Sequence, residues 1–431
     1  MPQKFVLLRH REVENIKDID VYVENGGYEG LRKALQMEKA DVIQTVFDSG
    51  LRGRGGAGFP TGLKWRFIPK GADEVYIVIN TDESETGTFK DRELLEMNPH
   101  QVIEGAIIAA YAVGATKIYN YWRGEYMDAA YACMEAVKQA NEKGFLGEDI
   151  LGSGFNCEFI NHFGAGAYIC GEETALLNSL MGELGQPWSK PPFPAVEGLY
   201  EKPTVVNNTE TLANVPPILV NGAAWYKGMG TEKSPGTKIA CISGHVNRPG
   251  NYEVEMGTVT YHDLIFGEEY AQGIPNGKKF KALLPSGGSG PLMNEGHLSA
   301  PLTYEGPEAP EIGSVMGSAS LIVMDETVDM VWAASKAIHF FKHESCGKCT
   351  PCREGTFWME NLLHRIWEGH GTERDVEVLH NVATNIGGRT LCALGEFAKN
   401  PALSSIKLYP EDYKAKVAGN GAGVALPVAG D

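Results

Sequence analysis

The sequence predicts an α/β domain with a parallel sheet, then a small mostly-β or α+β module, then a C-terminal helical bundle. Three observations carry this reading. Apolar strand-like runs alternate with helical patterns across residues 62–235, as βαβ units require. From 238 to 324, short strands are broken by Arg248-Pro249-Gly250 and by a Gly/Ser-rich run at 286–290. From Thr327 onward the pattern is helical again, and a cysteine triplet follows the first helix.

The elements follow in order. Residues 1–50 begin with a charged segment and end in a helix over 37–48, where Val42, Ile43, Val46 and Phe47 recur at helical spacing. A glycine-rich loop spans 51–62. The β-branched run 75–79 reads as a buried strand that empties into an acidic loop, 80–87. A helix is expected over 94–113, with Pro99 near its start or at a kink. A strand at 118–122, an amphipathic helix at 126–140, a strand at 157–161 and a helix at 174–181 complete the alternation. The proline-rich stretch 190–194 reads as a loop over the sheet edge. Composition shifts near 231–236. In the C-terminal part Val328, Val331, Trp332 and Ser335 are expected to share one helix face, within about four helices. The Gly/Ala/Val-rich tail 418–431 is expected to be poorly ordered, and no internal repeat is visible.

A chain of 431 residues is long enough for two to four domains, and 43% hydrophobic with 22% charged residues is ordinary for a globular protein. A net charge of −17 without a basic run argues against a nucleic-acid partner. The longest apolar runs, such as 106–113, fall short of a membrane span, and the first ten residues lack a signal-peptide layout. Neither secretion nor direct membrane insertion is expected.

The cysteines are the strongest chemical signal. Cys346, Cys349 and Cys352 form C-x2-C-x2-C, and Cys392 stands apart. A close triplet with a remote fourth cysteine suits a [4Fe–4S] cluster. The competitor, structural zinc, usually shows two separated Cys/His pairs. Such thiolates must stay reduced, which favours a cytoplasmic location. Cys133, Cys157, Cys170 and Cys241 lie in apolar patterns and read as buried small hydrophobes.

Four polar clusters point to a nucleotide. Gly53-Arg54-Gly55-Gly56-Ala57-Gly58 matches GxGxxG, although a helical pattern rather than a strand precedes it. Its glycines permit close backbone approach to phosphate, Arg54 and Lys64 add charge, and Phe59, Trp65 and Phe67 offer stacking surfaces. The alternative is a flexible surface loop. Asn80, Asp82, Glu83, Ser84 and Glu85 follow a strand end, where carboxylates suit ribose or ribityl hydroxyls; the alternative is a solvated acidic turn. Gly164-Ala165-Gly166-Ala167-Tyr168 and Gly171-Glu172-Glu173-Thr174 precede a helix start, which can hold a phosphate, or simply place carboxylates against a helix dipole. Asn207, Asn208, Thr209 and Thr211 can meet a heterocycle edge or form a turn and helix cap.

Taken together, L-R-G-R-G-G-A-G-F-P-T-G-L-K-W (51–65), N-T-D-E-S-E-T-G (80–87), G-A-G-A-Y-I-C-G-E-E-T (164–174) and E-S-C-G-K-C-T-P-C-R-E-G (344–355) resemble one family. It is the flavin- and NADH-binding 51 kDa-type subunit of respiratory complex I, the F-type subunit of NADH-quinone oxidoreductase, and the resemblance covers nearly the whole chain. It implies an N-terminal segment with the glycine-rich loop (1–61), a Rossmann-like FMN- and NADH-binding domain (62–235), a ubiquitin-like β-grasp domain (236–324) and a helical bundle with a [4Fe–4S] cluster (325–431). The cluster ligands would be Cys346, Cys349, Cys352 and Cys392. Around FMN it places Gly53, Arg54, Gly55, Lys64, Asn80, Asp82, Ser84, Asn207, Asn208 and Thr211, with Glu83 and Gly171 beside them. At or near NADH it places Phe59, Phe67, Glu85, Tyr168, Glu172, Glu173, Lys190 and Phe193. Glu85, Glu172 and Tyr168 are the catalytic candidates.

The resemblance further implies transfer of a hydride from NADH to FMN, then of single electrons through the cluster towards quinone. Its carboxylates would favour NADH over NADPH. Lys348, Arg353 and Arg389 are expected to offset thiolate charge. The implied partners are a thioredoxin-like [2Fe–2S] subunit (the E-type companion in complex I) and further peripheral-arm subunits. The implied location is the cytoplasmic face of the inner membrane, held there by the assembled complex. Diaphorase subunits of NAD-linked hydrogenases and formate dehydrogenases are the nearer alternative, and a zinc-stabilised scaffold the more distant one.

Overall fold

The computed structural model describes residues 5–417, so the expectation for 418–431 lies outside the described residues. Strands β1 (Tyr76–Thr81), β2 (Lys117–Trp122), β3 (Glu158–Phe163) and β4 (Thr204–Asn208) form a sheet in the order β3-β2-β1-β4, all neighbours parallel. Ile77, Val78 and Ile79 of β1 are fully buried, because a central parallel strand is covered on both faces. That double burial is why its sequence is continuously apolar rather than alternating.

The single helix expected over 94–113 is two, Lys90–Met97 and Pro99–Val113. Pro99 occupies the first turn of the second helix, where a missing N–H breaks no hydrogen bond. The N-terminal residues do not stand apart. Tyr22, Leu31, Val42 and Val46 share one core with the sheet and the helix Pro99–Val113. The strand β4 has no counterpart among the expected elements; it lies beside β1 and delivers Asn207 and Asn208 next to Asn80.

A second, mixed sheet contains β5 (Thr237–Gly244), β6 (Gly250–Glu255), β7 (Phe280–Gly288) and β8 (Ser320–Asp325), ordered β6-β5-β8-β7. β5 pairs antiparallel with β6 and parallel with β8, and β7 pairs antiparallel with β8. The helix Tyr261–Phe266 packs Leu264 and Ile265 into this module's own core.

Among the described residues five helices follow rather than about four: Met330–Glu344, Thr350–Trp367, Glu373–Ile386, Leu394–Leu408 and Pro410–Val417. The first starts after Val328, and it buries Val331, Ala334, Ile338 and Phe341 while Trp332 faces out. The expected face of Val328, Val331, Trp332 and Ser335 is therefore rotated: the i, i+3, i+7, i+10 set from Val331 wins the core. These helices share a core with Val78, Tyr121 and Val206 of the parallel sheet and with Leu176 and Leu177. Packing against that sheet brings the cysteine loop towards the sheet's carboxyl ends.

Candidate functional site

The carboxyl ends of β1 and β4 open onto a cleft with two connected lobes, of about 480 and about 600 Å3. Each is the size of a small-molecule site. Gly55, Gly56, Ala57, Asn80, Gly171, Glu172 and Asn208 line both. Of the expected cofactor-binding residues, all but Arg54 line one lobe or the other. A wider hollow of about 820 Å3 beside the helices Glu373–Ile386 and Pro410–Val417 holds none of them.

The first lobe has an aromatic rim and a charged floor. Phe59 and Phe67 are exposed, with ring centroids 6.2 Å apart and planes inclined at 46°, and Phe193 is exposed on the same lobe. The Lys64 ammonium donates to Glu173 at 3.2 Å and to the Val206 carbonyl at 3.1 Å. Lys190 donates to Glu173 at 2.5 Å and to Glu172 at 3.4 Å. Burial pushes the Glu173 carboxyl up, but the two lysines outweigh it and hold its pKa below the usual value. Gly55 is needed here: a Cβ at this position would lie 3.0 Å from the Asn208 Cβ.

The second lobe is acidic. Asp82 is half-buried, its Oδ2 is out of solvent and lacks any hydrogen-bond partner, and burial lifts its pKa from 3.8 to about 7 against a hydrogen bond from Ser84. Asn80 donates to the Gly171 carbonyl at 2.8 Å, joining the two acidic turns. Glu83 accepts from the backbone N–H groups of Asp91 at 2.8 Å and Arg92 at 3.0 Å, so it caps the helix Lys90–Met97 while lining the cleft. Glu85 accepts from the Tyr168 hydroxyl at 2.9 Å and from Ser289. Burial raises its pKa, and those two hydrogen bonds oppose the rise.

Several residues act otherwise than the sequence suggested. Arg54 is fully buried, and its guanidinium points away from the cleft. It donates to the carbonyls of Thr237 at 3.1 Å and Pro235 at 2.7 Å and to the Tyr226 hydroxyl at 3.0 Å, while its backbone N–H donates to Thr211 Oγ1 at 2.8 Å. Its charge is thus spent as a strut, not beside a phosphate. Trp65 is no stacking surface either: it is buried and donates to Asn207 Oδ1 at 2.9 Å.

The N-terminus of the helix Glu173–Leu180 is already occupied, because Glu172 accepts from Thr174 N and Ala175 N. Asn208 likewise caps the helix Thr209–Ala213, accepting from Glu210 N and Thr211 N, and donates to Asp91 at 2.6 Å. For both residues the capping reading and the cleft reading hold together.

Sequence reasoning missed Thr61, whose buried hydroxyl in the first lobe has no partner, and the middle module's share of the second lobe. Ser286, Ser289, Tyr304 and Ser318 line it from there. For Ser286 and Ser289 the sequence signal is the Gly/Ser-rich run at 286–290, which reads equally well as a strand breaker, and Tyr304 and Ser318 carry none.

The unpaired acceptor of Asp82 and the unpaired hydroxyl of Thr61 fit a polyhydroxylated phosphate ester such as FMN, whose ribityl chain brings donors as well as acceptors. Cys392 stands at the far wall, with the other three cysteines near it. Cys392 lines the second lobe, Cys349 Sγ accepts from the Leu391 N–H at 3.3 Å, and Ser345 Oγ lies 3.3 Å from Cys352 Sγ. Burial, then the neighbouring Cys346 and Cys349, raise the Cys352 thiol. Burial, with Cys346 and Cys352 among the smaller causes, pushes Cys392 to about 11. The thiols are therefore electrostatic neighbours, although no group of three or more His, Cys, Asp or Glu among the described residues is arranged to hold a metal ion as it stands.

The expected counter-charges bond to groups other than the thiols, Arg353 to a carbonyl within the cysteine loop itself. Lys348 donates to the Pro187 carbonyl at 2.6 Å, Arg353 to the Gly347 carbonyl at 2.6 Å and Arg389 to Asn385 at 2.9 Å. Cys133, Cys157, Cys170 and Cys241 are buried free thiols. No helix among the described residues is long and apolar enough to cross a membrane.

Residues 46–217 match the Nuo51 FMN-binding domain, and residues 332–416 match the NADH-ubiquinone oxidoreductase-F iron-sulfur binding region. The chain is 50% identical over 404 residues to an F-type subunit of NADH-quinone oxidoreductase from Streptomyces coelicolor, covering 94% of this chain and 89% of that protein. It is 44% identical over 402 residues to the corresponding F-type protein of Rickettsia rickettsii, covering 93% and 94%. Among solved structures it is similar to a chain of an NAD+-reducing [NiFe]-hydrogenase. The air-oxidized state gives a TM-score of 0.79 at 36% identity over 91% of this chain, and the H2-reduced state 0.82 at 34% over 96%. The match spans only 64% and 67% of those hydrogenase chains.

Proposed function

The chain belongs to the family of F-type subunits of NADH-quinone oxidoreductase, and we propose that it serves as the NADH-oxidising, electron-input subunit of a respiratory complex I. One observation carries the reading: a single cleft runs from the aromatic rim at Phe59 and Phe67 to Cys392. The chemistry that bound FMN and a [4Fe–4S] cluster would supply is acceptance of a hydride from NADH and its release as single electrons. The chain's own residues bind and orient. Phe59 and Phe67 grip the adenine, while Lys64, Lys190 and Glu173 hold the polar middle of the dinucleotide.

Gly53, Gly55, Asn80, Asp82, Ser84, Gly171, Asn207, Asn208 and Thr211 cradle the flavin, Asp82 through its unpaired oxygen. Arg54 supports that cradle through its backbone N–H on Thr211. Glu85, Tyr168 and Glu172 lie on the lobe that ends at Cys392, so they face the redox end of NADH. Cys346, Cys349, Cys352 and Cys392 hold the cluster. No side chain forms a covalent bond to substrate; orientation within contact distance is the protein's contribution.

The finer assignments belong to the same proposal. Residues 62–235 with the glycine-rich loop of 1–61 form the Rossmann-like unit, 236–324 a ubiquitin-like β-grasp unit and 325–431 the cluster-bearing bundle. The mixed sheet order β6-β5-β8-β7 and the five C-terminal helices support this. A thioredoxin-like [2Fe–2S] protein and other peripheral-arm subunits are the partners, and the complex holds the chain at the cytoplasmic face of the membrane.

The hydrogenase likeness favours a second reading, a diaphorase subunit with the same cofactors and a different acceptor. The higher identity to the F-type relatives of NADH-quinone oxidoreductase ranks it second.

The test is an anaerobic NADH titration of the purified protein, followed by visible absorbance and low-temperature EPR, with flavin, iron and zinc assayed. Bleaching of stoichiometric FMN, and a [4Fe–4S] signal after NADH or dithionite that disappears in Cys392→Ala, are expected. Zinc without flavin and no response to NADH would overturn the reading. Isolation of the native assembly then separates the two readings by its companion subunits.

A further inference from the structure

Glu85 is held by residues from two parts of the chain, and the third part holds one of those residues. It lies in the acidic loop after β1, and Tyr168 reaches it from the turn after β3 at 2.9 Å. Ser289, just past β7 in the middle module, donates its hydroxyl to the same Oε2 and lies 3.5 Å from the Tyr168 hydroxyl. The carbonyl of Ser289 accepts from Asn400 Nδ2 at 2.6 Å, on the helix that begins just after Cys392. The approach is close: Gly287 has φ +54°, and a Cβ there would lie 2.2 Å from the Thr86 carbonyl and 2.5 Å from Glu85 Oε1. The Gly288 N–H donates to Thr86 Oγ1 at 2.7 Å, which fixes the register of the two loops.

We propose that Ser289 is a positioning residue for the reaction: it aims the Glu85 carboxylate into the cleft, and so makes the middle module a contributor to the NADH site. The inference rests on the function proposed above. Two hydroxyl donors converge on Oε2, while Oε1 accepts from Thr86 through a longer bond of 3.3 Å, which makes Oε1 the oxygen more open to a ligand. Glu85 is half-buried and no cation among the described residues bonds to it, so these hydroxyls and the Ser289 backbone hold it in place. Tyr168 itself is anchored, by its backbone N–H on Glu344 at 2.9 Å and by edge contacts with Phe340 and Phe341. Ser289 is therefore the member of the trio that a change in the middle module would displace.

The test uses the FMN- and cluster-loaded protein with Ser289→Ala, Ser289→Gly and Ser289→Thr, alone and combined with Glu85→Gln. NAD+ and ADP-ribose are titrated by calorimetry, and NADH oxidation is followed with a one-electron acceptor. Loss of a hydrogen bond to a charged group predicts that the Ala and Gly variants lower kcat/KM for NADH about tenfold and weaken NAD+ several-fold. ADP-ribose, which lacks the nicotinamide, keeps its affinity. Thr restores both, and in the Glu85→Gln background removing Ser289 has no further effect.

Wild-type behaviour of the Ala and Gly variants would overturn the inference. So would an undiminished Ser289 effect without Glu85, or equal weakening of ADP-ribose, which would mark a general distortion. A wild-type protein whose FMN does not bleach with NADH would instead refute the proposed function.

Discussion

The backbone N–H of Tyr168 donates to the carboxylate of Glu344 at 2.9 Å. Glu344 ends the helix Met330–Glu344, two residues before Cys346, so one hydrogen bond joins the wall of the cleft to the start of the cysteine loop. Gln186 strengthens the joint by donating to the Cys346 carbonyl at 2.9 Å. A site that passes electrons between two cofactors needs such ties, because its geometry is set between elements far apart in sequence.

Glu344→Ala removes the charged acceptor and leaves a half-buried N–H unpaired. The expected cost is about 1 kcal/mol, less than for a fully buried charged hydrogen bond. Glu344→Gln keeps an acceptor and should recover most of it. Urea unfolding followed by tryptophan fluorescence checks this, and equal midpoints for wild type and Glu344→Ala would refute it.

Arg54→Met is expected to cost stability rather than flavin affinity. The guanidinium is buried among the carbonyls of Thr237 and Pro235 and the Tyr226 hydroxyl, and removing it takes a charged donor from each, although Tyr226 keeps its bond to Asn214; the expected cost is on the order of 3 kcal/mol in all. Its backbone N–H on Thr211 survives the substitution. The variant should therefore melt well below wild type but, where folded, bind FMN within about threefold of wild type. A large FMN defect at full stability would return the guanidinium to the phosphate.

That contrast shows what the sequence carried and what it did not. β1 was legible because Ile77, Val78 and Ile79 form the unbroken apolar run that burial on both faces requires. β4 was not: its two valines are followed at once by Asn207 and Asn208, so the polar end masked the strand. The glycine loop, both acidic turns and the cysteines were legible because their chemistry depends on residue type. Which way Arg54 and Trp65 point depends on Tyr226, Pro235 and Asn207, and no local spacing encodes that. Ser289 was hidden for the same reason, since it meets Glu85 only through the packing of a separate module.

Asp82 makes the flavin-free protein sensitive to pH. Burial raises its pKa from 3.8 to about 7, so between those values the folded protein keeps a proton that the unfolded chain has released. Its contribution to stability therefore falls as pH rises through that window and is constant above it. Asp82→Asn should flatten this part of the profile, measured by thermal unfolding of apoprotein from about pH 5 to about pH 8. A hydroxyl donated to Oδ2 favours the charged form, so FMN binding near neutral pH should release protons. Calorimetry in buffers of different ionisation enthalpy reads that release directly, and an unchanged pH profile in Asp82→Asn would exclude Asp82 as the source.

Glu173 sets the last expectation, a preference for NADH over NADPH. Lys64 and Lys190 flank its carboxylate and hold it ionised, with a pKa below the usual range. On the lobe proposed to take the dinucleotide, an ionised carboxylate would repel a second phosphate on the adenosine ribose, while the two lysines that would welcome that phosphate are already paired to it. Glu173→Gln removes the repulsion and releases Lys64 from its ion pair, while Lys190 keeps only its weaker contact with Glu172. The ratio of kcat/KM for NADH to that for NADPH should fall about tenfold, mostly through a lower KM for NADPH. Lys190→Ala alone should leave the carboxylate charged and the preference in place. The two ratios, measured side by side with a one-electron acceptor, check the argument, and equal discrimination in wild type and Glu173→Gln would sink it.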